Sequence, residues 1–394
     1  MSTPHALIVG AGIGGLSAAL TLARSGWRIT LVEQTAEPSE VGAGLQISPN
    51  ASRVLLSLGL GEALEACACH PLALEMRSAQ NGRLLSRMPL GESMRQRYGA
   101  PYLHLHRADL HGVLLQAARE LAQIECVFNA RVILVEQNAS RVSLCIANGR
   151  ELQADLLIGA DGIHSLVRAT LFGAEHARFT GCVAWRGVIP ASRLRDADIP
   201  RSAALWLGPG AHFVHYYLRR GELLNFVAVT ECEGWEVESW TQKGEYRELF
   251  DEFGDWPAPV SRIIEAADPA ACFKWALFDR PPMPQWSQGR VSLLGDACHP
   301  TLPFMAQGAA MAIEDAAVLA SCLRRSAAIP GALLEYEQLR RARTAEIQNT
   351  SRDNKRRYHY RGAAAWARDL AMPALQGALA RKLDALYGYD PLRV

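Results

Sequence analysis

The stretch His5–Gln34, HALIVGAGIGGLSAALTLARSGWRITLVEQ, constrains the fold more than any other part of the chain. The apolar run Ala6–Val9 predicts a buried strand of a parallel sheet. Gly10, Gly12 and Gly15 follow in the spacing G-x-G-x-x-G, and Leu16, Leu20 and Ala23 give the apolar side of a helix. Arg28–Val32 predicts a second strand, with Glu33 directly after it. Each part has a physical role in a dinucleotide-binding βαβ unit. Gly10 permits a tight turn, Gly12 lets the backbone approach a pyrophosphate, and Gly15 lets helix and strand pack closely. The helix N-terminus offers unpaired N–H groups and the positive end of its dipole. Glu33 stands where a carboxylate accepts hydrogen bonds from ribose hydroxyls. Strand, glycines, helix, strand and terminal acid together predict a site for an adenine dinucleotide.

A chain of 394 residues has length for two or three domains. With 49% hydrophobic and 21% charged residues it reads as an ordinary globular protein. A net charge of +1 gives no electrostatic reason to expect nucleic acid or a membrane surface as partner. The nine cysteines cannot all pair within one chain and include no C-x-x-C, so reduced thiols in a cytosol are expected, with no metal site. The N-terminus lacks a secretory pattern, and the βαβ unit starts too early to leave room for a transit peptide. No apolar run reaches membrane-spanning length. A cytoplasmic location is expected.

After Gln34 a glycine-rich turn, PSEVGAG, precedes a helical pattern from about Asn50 to Leu60. Such a turn beside the nucleotide strand reads either as a loop over the ligand or as a plain connector, and Gln46 is the polar side chain there best able to touch a ligand. Asn81-Gly82 between alternating runs predicts a hairpin belonging to a second domain. A short strand then leads through Arg107 into a helix; Arg107 is either a phosphate or ribose ligand or an ion-pair partner. Residues 124 to 157 are strand-rich, and Asp161-Gly162 predicts a tight turn. After about Ala177 the pattern becomes an antiparallel sheet with turns at Gly208-Pro209-Gly210 and Arg220-Gly221. In HFVHYY, alternation puts His212, Val214 and Tyr216 on one face and Phe213, His215 and Tyr217 on the other. Residues 241 to 267 read as helical. Gly289–Leu294 then reads as a strand, Asp296–Gln307 as a loop and Gly308–Arg324 as a helix. Helical patterns fill the rest, and the basic clusters Arg340–Arg343 and Lys355–Arg357 read as solvated faces. Cys298 and His299 read as packing or loop residues.

Three stretches, VGAGIGG, LLIGADGIHSLVR and LLGDACHPTLPFMAQGAAMAIEDA, carry a resemblance to the single-component FAD-dependent aromatic hydroxylases, the flavoprotein monooxygenases that include salicylate and 3-hydroxybenzoate hydroxylases. The resemblance reaches from the N-terminus to about residue 345. It implies an α/β fold: a Rossmann-like FAD-binding domain, as in para-hydroxybenzoate hydroxylase, with an inserted antiparallel β-sheet substrate domain and C-terminal helices. The expected division is 1–72, 100–178 and 275–345 for FAD, 73–99 and 179–274 for substrate, and 346–394 as a helical segment.

By the same resemblance, Gly10, Gly12, Gly14, Gly15, Glu33 and Gln34 would hold the ADP half of FAD, and the Val132 backbone would meet adenine. Gln46 and Arg107 would reach the flavin side, Arg107 at the phosphate–ribityl region. Asp161 would sit near the pyrophosphate, Asp296 would accept a ribityl or ribose hydroxyl, and the helix opening at Gly308 would aim its amides at the flavin pyrimidine oxygen. No second G-x-G-x-x-G follows a strand, which suits NADH or NADPH as a transient reductant. The implied reaction reduces noncovalent FAD, forms a flavin C4a-hydroperoxide with O₂ and hydroxylates a small phenolic or heteroaromatic acid. His212 and Tyr216 match the pair that draws off the phenolic proton in similar 3-hydroxybenzoate 6-hydroxylases and 6-hydroxynicotinate 3-monooxygenases; the bland alternative is two ordinary sheet residues. Pro303 stands where the 3-hydroxybenzoate branch would have glutamine and is similar to the salicylate type. Arg186 is either a substrate-carboxylate ligand or a structural ion-pair partner. A larger natural-product substrate and a flavin-binding protein without turnover stand as alternatives, and the chain is expected as a monomer or homodimer.

Overall fold

The computed structural model describes residues 3–36, 44–232 and 244–394. Its first layer follows from the glycine unit. Strand β1 (His5–Val9), helix α1 (Ile13–Arg24) and strand β2 (Arg28–Val32) form the expected βαβ, with β1 and β2 parallel from the His5–Arg28 pair to the Val9–Val32 pair. The sheet grows on both sides, in the order Ser287–Gln288, Val291–Leu293, Leu156–Gly159, β1, β2, Ile124–Val127. All its pairings are parallel except the short edge pair at Ser287–Gln288. Strand β1 is buried over its whole length, as a continuous apolar run in a parallel sheet requires. Gly10 takes φ +101°, and a Cβ there would lie 2.4 Å from the Ala160 carbonyl oxygen. A Cβ on Gly15 would lie 1.9 Å from the Gly10 carbonyl oxygen, so only glycine lets α1 seat this close to β1. Helix α1 packs on the helix Gly308–Arg325, and the Thr21 hydroxyl donates to the Ala316 carbonyl at 3.0 Å.

A second, seven-stranded sheet runs in the order Phe273–Asp279, Arg178–Pro190, Leu223–Glu231, Ala211–Leu218, Ala203–Gly208, Ala73–Ser78, Leu84–Pro89. Its pairings are antiparallel except where Ala203–Gly208 lies parallel to Ala73–Ser78. The hairpin expected at Asn81-Gly82 therefore joins the sheet of the second layer, with Gly82 at φ +72°. One face of this sheet packs Trp206, Phe213 and Phe226 against Leu249, Phe253 and Ile263 of the helices Tyr246–Phe253 and Val260–Ala266. The other face turns toward the first sheet and the C-terminal helices.

Some expected boundaries differ from the observed ones. Residues 275 to 279 pair within the large sheet rather than with the FAD-binding layer, because Phe273–Asp279 continues the ladder beside Arg178–Pro190. The helix Ile329–Tyr358 runs straight through position 345, where a boundary was expected. Arg340 and Arg343, expected on a solvated face, have side chains 0% and 15% exposed. Most of the glycine-rich turn after Gln34, with its possible role as a loop over the ligand, lies outside the described residues; Gly44–Ile47, which ends it, forms a short strand paired with Leu103–His106. Among the described residues no helix is long and apolar enough to cross a membrane.

Buried imidazoles give this fold a pH dependence. Burial pushes His104 and His215 down to about 3 and His212 well below its ordinary value. Histidine in an unfolded chain protonates near 6.5, at roughly 1.4 kcal/mol per pH unit for each ring that stays neutral when folded. Below that pH the unfolded chain binds protons that the folded chain refuses, so stability falls as pH falls. His299 opposes this with one proton, because the Asp315 carboxylate, at 2.5 Å, outweighs burial and holds its ring charged. The melting temperature should therefore drop steadily from pH 7.5 to pH 5. His215, whose two ring nitrogens are buried without hydrogen-bond partners, provides the check: His215→Phe should flatten that slope in a calorimetric pH series, and an unchanged slope would show that this ring already titrates in the fold.

Candidate active site

A cavity of about 500 Å³ opens where the glycine turn, the inner face of the large sheet and the segment 294–309 meet. Its nucleotide end is built by α1. A Cβ on Gly12 would meet nothing within 4 Å, so the backbone there faces open space, at the helix N-terminus. Gly14 also lines the cavity, and a Cβ there would come within 2.8 Å of the Leu294 side chain. The Glu33 carboxylate is already oriented. The Ala11 N–H donates to its Oε2 at 2.8 Å, and the Thr35 N–H and hydroxyl donate to Oε1 at 2.9 and 3.1 Å. A carboxylate has further lone pairs, so ribose hydroxyls can still donate to it. The Ala130 N–H bonds the Glu33 carbonyl at 2.8 Å, which brings the backbone leading to Val132 alongside. Gln34, next in sequence, is exposed.

In the middle of the cavity Arg107 and Asp296 face each other. Burial lowers Arg107 while Asp296 supports its charge; burial raises Asp296 while His299 and Arg107 pull it down. The Asp296 side chain projects into the cavity, open to a small molecule yet enclosed by protein. Pro303 and the first residues of the helix Gly308–Arg325, Gly308 and Ala309, form the adjoining wall. The first intrahelical bond in this region is donated by Met311 to the Gln307 carbonyl, so the preceding amides at the helix start remain available to a ligand. Gln46 lines the same space and accepts a hydrogen bond from the Tyr102 hydroxyl at 2.7 Å. Asp161 stands in the expected turn, and its carboxylate is engaged within that turn. Its carboxylate accepts from the Ser165 hydroxyl at 2.5 Å and the Val167 N–H at 3.2 Å, holding the start of the helix Leu166–Phe172. Its neighbours Ala160 and Gly162 line the cavity.

At the far end, alternation works as expected: His212, Val214 and Tyr216 line the cavity, while Phe213 packs in the opposite core. The two polar side chains do not pair with each other. Four strand positions separate their backbones by about 13 Å, and His212 Nδ1 lies 2.7 Å from His359 Nε2 instead. Tyr216 packs against the His104 ring at 4.6 Å, and a Cβ on Gly44 would lie 2.7 Å from its hydroxyl. Arg186 also lines the cavity, with its guanidinium 4.0 Å over the Trp275 ring. Burial lowers Arg186 to about 10, which leaves it charged at neutral pH. His104, His359 and Gly44 were not singled out from the sequence. Their partners lie more than a hundred residues away, and no local spacing points to them.

An open backbone at Gly12, an oriented carboxylate at Glu33, the Arg107–Asp296 pair and a helix N-terminus at Gly308 together fit a flavin adenine dinucleotide. The model of the family described as "FAD binding domain" matches residues 3–351. The chain belongs to the FAD-dependent aromatic hydroxylases. It is 38% identical over 387 residues to the 3-hydroxybenzoate 6-hydroxylase of Polaromonas naphthalenivorans (strain CJ2), covering 98% of this chain and 96% of that one. It is 35% identical to the 6-hydroxynicotinate 3-monooxygenase of Pseudomonas fluorescens, covering 89% and 91%. A solved salicylate hydroxylase substrate complex superposes with a TM-score of 0.83 at 27% identity, covering 99% of this chain and 96% of that one. FAD is the cofactor of this monooxygenase.

Glu33→Arg tests the nucleotide end. It removes the acceptor for Ala11 and Thr35 and sets a cation beside the α1 N-terminus, where the helix dipole already disfavours positive charge. The purified variant should retain FAD at least tenfold more weakly than the wild-type protein in an equilibrium titration of apoprotein, while its far-ultraviolet dichroism is unchanged. Equal retention would remove Glu33 from the binding site.

Proposed function

We propose that this chain hydroxylates a small phenolic or hydroxylated heteroaromatic carboxylic acid, consuming NADH or NADPH and O₂. The observation that carries the reading is the pairing, in one cavity, of a buried guanidinium at Arg186 with a buried imidazole at His212. The first suits a carboxylate and the second a phenolic proton, which are the two polar ends of a hydroxy-aromatic acid. The cavity volume of about 500 Å³ must also admit the flavin ring, so the remaining room suits one aromatic ring better than a larger natural product. Relatives named for 3-hydroxybenzoate and 6-hydroxynicotinate support the same substrate class.

The nucleotide would lie along Gly12, Glu33, Arg107 and Asp296, with the helix starting at Gly308 facing the flavin. Bound FAD supplies the two-electron chemistry that activates O₂ for delivery of one oxygen atom to the ring. The protein does the rest. Arg186 holds the substrate carboxylate, and its stacking on Trp275 fixes the plane of the guanidinium. Burial keeps His212 neutral, so a ring nitrogen facing the cavity can accept the phenolic proton. A phenolate carries more electron density at its ring carbons than a phenol, which favours attack on an electrophilic oxygen. Tyr216, whose own ionisation burial pushes far up, stays a phenol and can donate to the substrate oxygen. Leu205, Val214 and Val227 line the same space and exclude water.

Turnover under labelled O₂ with NADH or NADPH should place one labelled oxygen atom in the aromatic product, read by mass spectrometry. Label confined to water and hydrogen peroxide for every acid consumed would replace the hydroxylase reading with an oxidase. Losing a charge-assisted contact of about 1.5–3 kcal/mol, Arg186→Met should raise KM for the acid by roughly 10- to 100-fold. A KM unchanged in that variant would move the carboxylate elsewhere.

A further inference from the structure

Behind His212 the buried hydrogen-bond chain continues out of the cavity. His212 Nδ1 lies 2.7 Å from His359 Nε2, and His359 Nδ1 lies 3.3 Å from Glu231 Oε1. Glu231 ends the strand Leu223–Glu231 and reaches the surface, where its side chain is 41% exposed and its Oε2 accepts from Arg361 at 2.9 Å. His359 is itself buried, in the turn between the helices Ile329–Tyr358 and Gly362–Ala371. The turn is pinned: the Gly210 N–H donates to the His359 carbonyl at 3.1 Å, and a Cβ on Gly210 would lie 1.9 Å from the Arg361 guanidinium. Three titratable side chains from three elements thus form one line from cavity to solvent.

The chemistry of each atom fixes the proton positions along this line. An ionised carboxylate can only accept, so His359 must carry its proton on Nδ1. A neutral His359 then presents a bare Nε2, which requires the proton of His212 to sit on Nδ1. His212 is left with a bare Nε2, the ring nitrogen not engaged by His359, on a side chain that lines the cavity. We propose that Glu231, acting through His359, sets the tautomer of His212 and carries the substrate's proton from the cavity to solvent. The proposal rests on the hydroxylase reading for the source of the proton, whereas the tautomer assignment does not.

The transfer balances. The substrate O–H proton goes to His212 Nε2, the Nδ1 proton of His212 goes to His359 Nε2, and the Nδ1 proton of His359 goes to Glu231 Oε1 and from there to water. One proton enters, one leaves and no electrons move; both rings are left as Nε2–H tautomers and return to Nδ1–H by ring reorientation before the next turnover. Neither ring has to store the charge. Burial lowers both, His359 to about 4, while Glu231 raises His359 and Lys355 and Arg361 lower it. Besides His359, the groups packed on the His212 ring are Phe304 and Tyr358, so Tyr358 is the further titratable one. For Glu231, burial raises the carboxyl, but the Arg361 hydrogen bond and the surrounding charges outweigh it and keep the carboxylate ionised. His359 and Glu231 are positioning residues, since only His212 meets the substrate.

The test uses FAD-loaded protein labelled with ¹⁵N in its histidine rings. Long-range ¹H–¹⁵N spectra at pH 7.5 should assign both His212 and His359 as the neutral Nδ1–H tautomer. In Glu231→Gln, whose amide can donate, the two tautomers should invert or mix. A second arm measures product-coupled turnover against pH with 3-hydroxybenzoate, salicylate and 6-hydroxynicotinate as probes. His359→Gln, which keeps side-chain volume and hydrogen bonding but cannot pass a proton through, should lose about tenfold at pH 7. It should recover toward pH 9 as solvent base takes over, with flavin content unchanged. An Nε2–H tautomer at His212 in the wild-type protein, identical tautomers in Glu231→Gln, or a loss independent of pH in His359→Gln would each overturn the relay. Wild-type protein that hydroxylates none of the three probes, yet shows the Nδ1–H tautomers and their inversion, would overturn the substrate reading and leave the Glu231–His359–His212 coupling standing.

Discussion

Arg340 sits between two acids on the helix that opens at Gly308 in the cavity wall, and the geometry of the site depends on that arrangement. Its guanidinium lies 2.6 Å from Glu314 and 2.7 Å from Asp315, and all three side chains are fully buried. Glu314 also takes Arg343 at 2.8 Å and the Asn50 amide at 2.5 Å; Asp315 takes His299 at 2.5 Å and the Gly295 N–H at 3.1 Å. One turn of the helix Gly308–Arg325 is thereby tied to the helix Ile329–Tyr358, to the helix Pro49–Ser57 and to the loop carrying Asp296. Removing one member of such a buried set typically costs about 3–5 kcal/mol, because it strands the charges left behind. Its gain over an apolar core is directional: the start of the helix is held against the cavity in one orientation. Cys298, His299 and Asp315 also lie close enough to ligate a metal ion, but Arg340 and the charged His299 ring already supply the positive charge that Asp315 needs.

The charges along the cavity differ from one end to the other. Toward the glycine turn the α1 N-terminus, Arg107 and the Gly308 helix start are set against the Asp296 carboxylate, a balance that suits pyrophosphate and negative charge on a reduced flavin. Arg186 extends that field toward the substrate end, where it favours a carboxylate. Beyond it His212, Tyr216, Phe304 and Tyr358 make the lining largely aromatic, with Arg357 and Lys382 also on it. In the proposed reaction the first part would attract an anionic acid and the second would take its further proton.

How much of this the sequence made legible depends on how far each contact reaches along the chain. The βαβ unit, the Asn81-Gly82 hairpin and the helix opening at Gly308 each rest on local period and turn chemistry, and they form where those signals stand. The alternation that puts His212, Val214 and Tyr216 on one face is equally local. What failed to show were pairings across long separations. Arg340 reads as part of a charged helical run because period alone cannot see two acids waiting 25 and 26 positions earlier on another helix. Asp161, recognised by its motif, spends its oxygens on Ser165 and Val167, a choice set by the turn geometry rather than by the residue types. The parallel register of Ala203–Gly208 on Ala73–Ser78 has no sequence mark, because the intervening chain is long and the pattern of either strand would suit an antiparallel neighbour as well.

The same limit explains why His212 and Tyr216 look like a pair in the sequence and are not one in space. Alternation fixes which face a side chain takes but says nothing about distance along the strand, and four positions are too far for a hydrogen bond. Each finds its neighbour across the fold, His212 at His359 and Tyr216 at His104. For His212 this matters chemically. A ring whose basicity burial has lowered is a poor place to leave a proton, and a base that must hold the charge would gain little from such a site. A ring that passes the proton on is helped by it: the low basicity keeps the ring from being trapped as an imidazolium, and in the proposed relay the outer carboxylate sets which nitrogen starts bare. Burial and connection to the surface are therefore complementary requirements on one imidazole, and the strand supplies the first while the turn at His359 supplies the second.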